Sequence, residues 1–370
     1  MPSYYRFSFL LLLIFATNAW ADPQGLQTLA VGAPAPDFKL PGVDGHVYSL
    51  EDFSKAKVLV VVFTCNHCPT AQAYEDRIIK LHNDYKDKGV ALVAISPNNP
   101  DAVRLDELGY SDLGDSLEEM KIRAKDKKFP FPYLYDGETQ KTAQAYGVQA
   151  TPHVFIFDKD RKLRYVGRID DAEVKPVKVH NARDAIESLL AGKPVVVEKT
   201  RVFGCSTKWA DKREDARRAL SKWEKEPVSV ESLDEAGVAK LVKNDSKKLL
   251  LINVWATTCP ACLTELPDFV TMNRMYRGRD FQFVTISLDD PDKKAEVLKA
   301  LRDRHVAATN YRLTVKDRDT FADLLDKDWQ GALPHTMLVA PGGKVIYRKT
   351  GDIDALDVRR AIVKHLGRTY

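Results

Sequence analysis

Two cysteine pairs with the spacing Cys-x-x-Cys constrain this chain most, because the same arrangement occurs once in each half. Cys65 and Cys68 form the first pair, and Cys259 and Cys262 form the second. Each pair follows an apolar run and precedes residues with helical periodicity. A cysteine pair at a strand-to-helix junction is typical of a redox site, and its repetition predicts two related domains.

Chain length and residue pattern both predict two α/β domains. The 370 residues exceed what one hydrophobic core normally holds. Each half shows a strand–helix–strand pattern, followed by a hairpin and a closing helix, which predicts a central mixed β-sheet flanked by helices. Residues 58–63 read as a buried strand and residues 117–127 as a charged helix. We expect domains at residues 26–192 and 229–370, joined by a charged linker at 193–228.

The first 21 residues have the pattern of an export signal. Arg6 supplies the basic segment, and residues 7–16 form an apolar segment too short to span a bilayer comfortably. Residues 19–21, Ala-Trp-Ala, form a small-x-small cleavage site, and an uncleaved membrane anchor is the alternative. We therefore expect a periplasmic or secreted protein that is soluble once the signal is removed.

Charge and cysteine usage narrow the function classes further. The 56 basic and 52 acidic residues leave a net charge of +4, which gives no reason to expect nucleic acid as a partner. An exported protein held together by disulfides would carry more than five cysteines. Four of the five lie in pairs that close very short loops, which stabilise a fold least. Redox chemistry therefore explains the cysteines better than a structural role, and we expect no cofactor and no bound metal.

Each half also contains an X-Pro step that opens a later apolar run, Thr151-Pro152 in the first and Leu333-Pro334 in the second. A cysteine pair followed by such a proline indicates a redox site more specifically than a cysteine pair alone does.

Two segments carry a resemblance to a known superfamily. Residues 31–68, from Val-Gly-Ala-Pro-Ala-Pro-Asp-Phe to Phe-Thr-Cys-Asn-His-Cys, resemble the amino-terminal pattern of the peroxiredoxin and TlpA-like branches of the thioredoxin superfamily. Residues 251–267, which include Thr-Thr-Cys-Pro-Ala-Cys, resemble the TlpA/ResA-like active-site segment. The resemblance implies two tandem thioredoxin-like folds. It also implies that Pro152 and Pro334 are cis, face the cysteines, and leave the preceding backbone available to a substrate strand.

The first cysteine of each pair is the predicted nucleophile. A thiolate attacks a disulfide, and a helix N-terminus stabilises the thiolate through its N–H groups and dipole. We accordingly predict Cys65 and Cys259 as nucleophiles at helix N-termini, with Cys68 and Cys262 as resolving thiols. Inert structural disulfides and zinc half-sites are the alternatives.

Three further residues bear on the chemistry. A partly protonated His67 would stabilise a thiolate and make the first couple the more oxidising one. Glu265 matches an acidic residue of ResA-like proteins, which implies a buried carboxyl that relays protons; an exposed first-turn glutamate is the alternative. Cys205 could resolve a disulfide between domains, pair between chains, or have no catalytic role.

The sequence as a whole predicts an exported thiol–disulfide oxidoreductase that exchanges disulfides with protein thiols. The resemblance implies a membrane thiol reductase as a candidate electron donor. One alternative is a copper-binding or delivery protein, in which His67 and His153 would join Cys65 and Cys68 around the metal. Another is a thiol peroxidase, whose pattern Pro-x-x-x-Thr-x-x-Cys would require threonine where Cys65 stands and proline where Val61 stands.

Overall fold

The described structure, a computed structural model, covers residues 25–174, 176–315 and 317–369. The predicted export signal at residues 1–21 therefore lies outside the described residues. Within the described ranges, no helix combines the length and the apolar character needed to cross a membrane.

The first half of the chain folds around one five-stranded sheet. Its elements are, in chain order, β1 (Lys39–Pro41), β2 (Val47–Ser49), β3 (Val58–Phe63), α1 (Pro69–Tyr85), β4 (Val90–Ser96), α2 (Leu117–Lys127), β5 (Tyr133–Tyr135), α3 (Lys141–Tyr146), β6 (Ala150–Thr151), β7 (His153–Phe157), β8 (Leu163–Gly167) and α4 (Asn181–Leu190). The sheet order is β5-β4-β3-β7-β8, with β3 parallel to β4 and antiparallel to β7. β3 is therefore the central strand, and it leads directly to the first cysteine pair.

The second half repeats this arrangement after a connecting segment. The connection contains β9 (Cys205–Ser206) and α5 (Arg213–Glu224). The following elements are β10 (Glu231–Leu233), α6 (Glu235–Lys243), β11 (Leu249–Trp255), α7 (Pro260–Tyr276), β12 (Phe281–Ser287), α8 (Lys294–Asp303), β13 (Thr309–Leu313), α9 (Arg318–Leu325), β14 (His335–Ala340), β15 (Lys344–Thr350) and α10 (Ala355–Leu366). The sheet order is β10-β13-β12-β11-β14-β15, and β11 occupies the place that β3 has in the first sheet.

The central strands are buried on both faces because helices cover both sides of each sheet. All six residues of β3 are buried, as a continuous apolar run rich in valine predicts. Val58, Val60 and Val62 point into the core that holds α1, α2 and α4, while Leu59, Val61 and Phe63 point into the opposite core. The predicted fold class, two tandem thioredoxin-like folds with central mixed sheets flanked by helices, is confirmed.

The connecting segment differs in one respect from the predicted linker. Lys199 bridges to Val166 of β8, β9 pairs with β6, and Trp209 is buried in the core of the first half. Further along, the Arg277 guanidinium donates to the Glu226 carboxylate at 2.8 Å. We therefore propose that residues 198–210 belong to the first domain and that the joint between the domains begins after them.

The two domains contact each other near the start of α2. Leu108 belongs to the buried core of the second domain, and the Tyr276 hydroxyl donates to Ser111 O at 2.8 Å. The Arg368 guanidinium donates to the Asp112 carboxylate at 2.6 Å. The loop before α2 borders the first cysteine pair on one side. The same loop is thus also the surface that contacts the second domain.

Candidate functional site

Helix α1 begins one residue after Cys68, so Cys68 and not Cys65 is the N-cap of this helix. The Cys68 Sγ accepts a hydrogen bond from the Ala71 N–H at 3.4 Å. Pro69 occupies the first helical position, where a missing N–H costs nothing and the fixed φ is favourable. The prediction that Cys65 lies at the helix N-terminus is therefore wrong, and the Cys68-Pro69 sequence was the signal that could have corrected it.

Strand register shows that the two Cys-x-x-Cys motifs are not in equivalent positions. The residue after the first X-Pro step pairs with Phe63, and the residue after the second pairs with Val254. Cys68 lies five residues after Phe63, and Cys259 lies five residues after Val254.

Cys68 therefore corresponds to Cys259, which is the N-cap of α7 and is also followed by proline. Cys65 corresponds to Ala256 in the second domain, and Ala71 takes the position of Cys262. The first pair thus extends from the helix N-cap back toward the strand, whereas the second pair extends forward into the helix.

The first site holds its thiols in a buried cluster beside the X-Pro step. Cys65 and Cys68 are 2% and 0% exposed. The Cys65 Sγ lies 3.1 Å from the Thr151 Oγ1, and the Cys68 thiol donates to Thr151 O at 3.3 Å. The Cys205 N–H donates to the Cys68 Sγ at 3.4 Å, so a third cysteine joins the cluster.

The surroundings of the two thiols shift their pKa values in opposite directions. Burial and then the contact with Cys68 raise the pKa of Cys65 well above its ordinary value. Burial acts in the same direction on Cys68, but hydrogen bonds from the Cys205 and Cys65 thiols and the charge of His67 hold the pKa of Cys68 well below its ordinary value. Of the two thiols, Cys68 is therefore the one that loses its proton more readily.

His67 is fixed by a buried carboxylate that the sequence reasoning did not identify. The Asp115 carboxylate lies 2.5 Å from the His67 Nδ1 and accepts the Asn66 N–H at 2.8 Å and the Asn98 side-chain amide at 2.7 Å. Burial alone would lower the pKa of His67, but the Asp115 charge and hydrogen bond raise it. The imidazole therefore holds its proton more firmly than a free imidazole, and its charged form lowers the pKa of Cys68.

The second site is more open and contains a disulfide between Cys259 and Cys262. Cys259 is half-buried, and Cys262 is fully buried at the start of α7. The Cys259 Sγ accepts the Cys262 N–H at 3.2 Å, as expected for a sulfur at a helix N-terminus. Its position agrees with the prediction that Cys259 lies at a helix N-terminus.

Glu265 lies on the buried face of α7, one helical turn after Cys262. Its Oε1 accepts a hydrogen bond from the Asn253 side-chain amide at 2.9 Å, whereas its Oε2 has no hydrogen-bond partner among the described residues. Burial raises the pKa of Glu265 to about 7. The carboxyl is thus the buried group of the sequence prediction and not an exposed first-turn glutamate.

Both X-Pro bonds are cis, as the resemblance implies. Pro152 precedes β7 and Pro334 precedes β14, so each bond lies at the entrance of the strand next to the central strand. His153 follows the first bond, is buried, and has a pKa lowered to about 3 by burial and then by the charge of Lys199. Its imidazole is therefore neutral at physiological pH.

The described residues include one group of three side chains with metal-ligating atoms close together. Ligand atoms of Cys65, His67 and Asp115 lie within 4.8 Å of one another, and all three residues are buried. Because Asp115 already contacts the His67 Nδ1 at 2.5 Å, this nitrogen serves the ion pair. His153 does not belong to the group, so the geometry differs from the copper site that the sequence predicts as an alternative.

The residues that sequence reasoning missed are those that reach the site from distant parts of the chain. Asp115 stands in a polar loop, and its contact with His67 depends on how that loop returns to the sheet. Thr151 was named for its backbone, but its hydroxyl also contacts Cys65. The sequence leaves the role of Cys205 open, since no local pattern relates it to Cys68, which stands 137 positions earlier.

Comparisons with known proteins give related matches for both halves. The AhpC/TSA family model matches residues 31–166, and the Redoxin family model matches residues 230–362. The chain is 28% identical over 137 residues to the thiol-disulfide oxidoreductase ResA of Bacillus thuringiensis subsp. konkukian, which covers 37% of this chain and 69% of that protein. It is 34% identical over 108 residues to the thiol:disulfide interchange protein DsbE of Pasteurella multocida, covering 29% and 53%. The crystal structure of an uncharacterized conserved protein from Geobacillus kaustophilus is similar at 40% identity, with 50% of this chain and 94% of that chain covered and a TM-score of 0.45.

Proposed function

Because the chain belongs to the thioredoxin superfamily, with two redoxin-type domains in tandem, and is a thioredoxin-like oxidoreductase, we propose that it is exported and exchanges disulfides with protein thiols at two sites. The observation that carries this proposal is the equivalent placement of Cys68 and Cys259. Each caps a helix and is followed by proline at the first helical position. We assign these two cysteines as the nucleophiles.

At the second site, the reduced Cys259 thiolate attacks one sulfur of a substrate disulfide, and the other substrate sulfur leaves as a thiolate. Cys262 then attacks the Cys259 sulfur, which releases the second substrate thiol and leaves the Cys259–Cys262 disulfide. Two electrons pass to the substrate. Glu265 is one helical turn from Cys262 and, with a pKa near neutrality, is suited to accept the proton that Cys262 loses.

At the first site, we assign Cys68 as the attacking thiolate and Cys65 as a thiol that resolves the mixed disulfide. This reverses the order that the sequence predicts. It is supported by the opposite pKa directions of the two thiols and by the helix N-terminus at Cys68. Pro152 and Pro334 shape the two sites, and a membrane thiol reductase remains our candidate electron donor.

Reduction of a fluorescent peptide disulfide tests the assignment. Each site is measured in the full chain with both cysteines of the other site replaced by serine. In the first site, we expect Cys65→Ser to retain the first attack and Cys68→Ser to abolish it. In the second site, Cys262→Ser retains the first attack and Cys259→Ser abolishes it. Attack that survives in Cys68→Ser and disappears in Cys65→Ser would reverse our assignment.

Two assays separate this proposal from its alternatives. Stoichiometric Cu(I) binding that is lost in His67→Ala would favour copper delivery, and peroxide consumption that requires Cys68 would favour a peroxidase. Fusion of residues 1–21 to alkaline phosphatase tests export, since this reporter is active only where disulfides form.

A further inference from the structure

A strand of the connecting segment lies directly against the first site. β9 pairs antiparallel with β6, so that Cys205 stands opposite Thr151 and Ser206 opposite Ala150. Thr151 is the residue before the cis bond, and its carbonyl oxygen is the one that contacts the Cys68 Sγ. Backbone pairing therefore presents a cysteine of this chain to the proposed nucleophile, as strand addition presents a bound peptide to a sheet edge.

The approach of this strand depends on a glycine. Gly204 has φ +144, and a Cβ at this position would lie 2.0 Å from Thr151 O. A side chain there would collide with backbone, which cannot move aside as a flexible side chain would. Glycine at position 204 thus allows β9 to approach the Thr151 backbone more closely than a residue with a side chain would.

Contacts on both sides of β9 hold it in place. Before it, the Arg168 N–H donates to the Thr200 Oγ1 at 3.0 Å. After it, the Lys208 N–H donates to the Asn98 side-chain oxygen at 2.9 Å, and Trp209 is 5% exposed. The strand is therefore part of the folded first domain, and it is one reason why Cys68 is closed to solvent.

The second site has no such cover within the described ranges. Leu333, the residue before the second cis bond, pairs with no strand there, and β14 pairs with β11 and β15 alone. Cys259 is half-buried, whereas Cys68 is 0% exposed. The covering strand is therefore a specific addition to the first site and does not follow from the shared fold.

We infer that Cys205 is a third redox cysteine of the first site, presented to Cys68 by a strand that occupies the position of a substrate peptide. This inference rests on the exchange function proposed above. The Cys205 thiolate attacks the Cys68 sulfur of the Cys65–Cys68 disulfide, a Cys68–Cys205 bond forms, and Cys65 leaves as a thiolate. No electrons enter or leave in this step, so it needs no further oxidant. The same attack on a Cys68 mixed disulfide releases the bound substrate thiol.

Glutathione disulfide is the probe that tests this inference, with the full chain carrying Cys259→Ser, Cys262→Ser and Cys65→Ser. Cys68 attacks the probe and becomes glutathionylated, and we expect Cys205 to displace glutathione and leave a Cys68–Cys205 disulfide. Acid quenching followed by mass spectrometry of tryptic peptides measures both species over time. Adding Cys205→Ser should prolong the life of the glutathionylated Cys68 by at least tenfold.

A second variant keeps the thiol but moves the strand. Gly204→Ala should slow the release of glutathione as Cys205→Ser does, and it should speed the alkylation of Cys68 by iodoacetamide about tenfold because the cover is displaced. Equal glutathione release with and without Cys205 would overturn the inference and leave the proposed function intact. A Cys68 that is never glutathionylated in any variant would overturn both.

Discussion

The carboxyl of Glu265 should make the stability of the second domain depend on pH, and Glu265→Gln should remove that dependence. Burial raises its pKa in the folded chain to about 7, from an ordinary value of 4.5. Between these two values the unfolded chain has lost the proton and the folded chain still binds it. Because the folded state then binds more protons, stability falls as the pH rises through this window.

The size of the effect follows from the two pKa values. The difference of about 2.5, multiplied by 1.36 kcal/mol, gives a ceiling of about 3 kcal/mol. Screening by solvent at the open side of the site reduces this to about 2 kcal/mol. We expect the wild-type second domain to lose about 2 kcal/mol between pH 4.5 and pH 7 and then to remain constant. Glu265→Gln should be as stable as the wild type at pH 4 and about 2 kcal/mol more stable at pH 8.

Pulse proteolysis in urea measures the free energy of unfolding of the second domain separately from that of the first. Glu235→Gln is the matched control, because Glu235 is an exposed glutamate at the start of α6. Carbon-13 NMR of labelled glutamate carboxyls gives the midpoint of Glu265 directly. A midpoint below pH 5, or the same loss of stability in Glu265→Gln, would show that burial does not hold this proton.

Further predictions concern the first domain. Asp115→Asn removes the negative charge that raises the pKa of His67, so the Cys65–Cys68 couple should become more reducing by about 30 mV, a tenfold change in its equilibrium with glutathione. In the wild type, a glutathione titration should give the Cys65–Cys68 couple a higher reduction potential than the Cys259–Cys262 couple. Arg123→Ala removes the 2.6 Å partner of the buried Glu75 carboxylate, which keeps Lys127 at 3.2 Å, and should cost about 2–3 kcal/mol in urea pulse proteolysis, whereas Lys121→Ala on the exposed side of α2 should cost less than about 0.5 kcal/mol.

The sequence predicts the framework of the two domains well because that framework is built from long, regular segments. The strand at residues 58–63 and the helix at residues 117–127 have the predicted bounds. A continuous β-branched run and an amphipathic helix each carry their periodicity within a few neighbouring residues. β9 has two residues and forms through pairing with β6, so no local pattern announces it.

The sequence predicts which residues could form the two sites, but it does not predict how the two Cys-x-x-Cys motifs align with each other in the fold. The sequence singles out the four paired cysteines, and the resemblance implies two cis prolines and a buried Glu265, which the structure has. That these residues form the two sites stays a prediction. Two identical Cys-x-x-Cys spacings suggest identical geometry, although Cys-Pro marks the helix start after Cys68 in one motif and after Cys259 in the other. The partners of His67 and Cys68, above all Asp115, depend on contacts between distant loops, which the spacing of residues does not encode.

The different registers give the two sites different means of stabilising a thiolate. Both proposed nucleophiles lie at a helix N-terminus, but Cys68 also has hydrogen bonds from two thiols and a carboxylate-bound imidazole beside it. A more stable thiolate favours the reduced form, so electrons should flow from the second site to the first. The first site is also the covered one, and any partner must therefore displace β9 or exchange through Cys205. If the covered first site is the more oxidising one and the open second site the more reducing one, as we predict, displacement of β9 would control when the two couples exchange electrons.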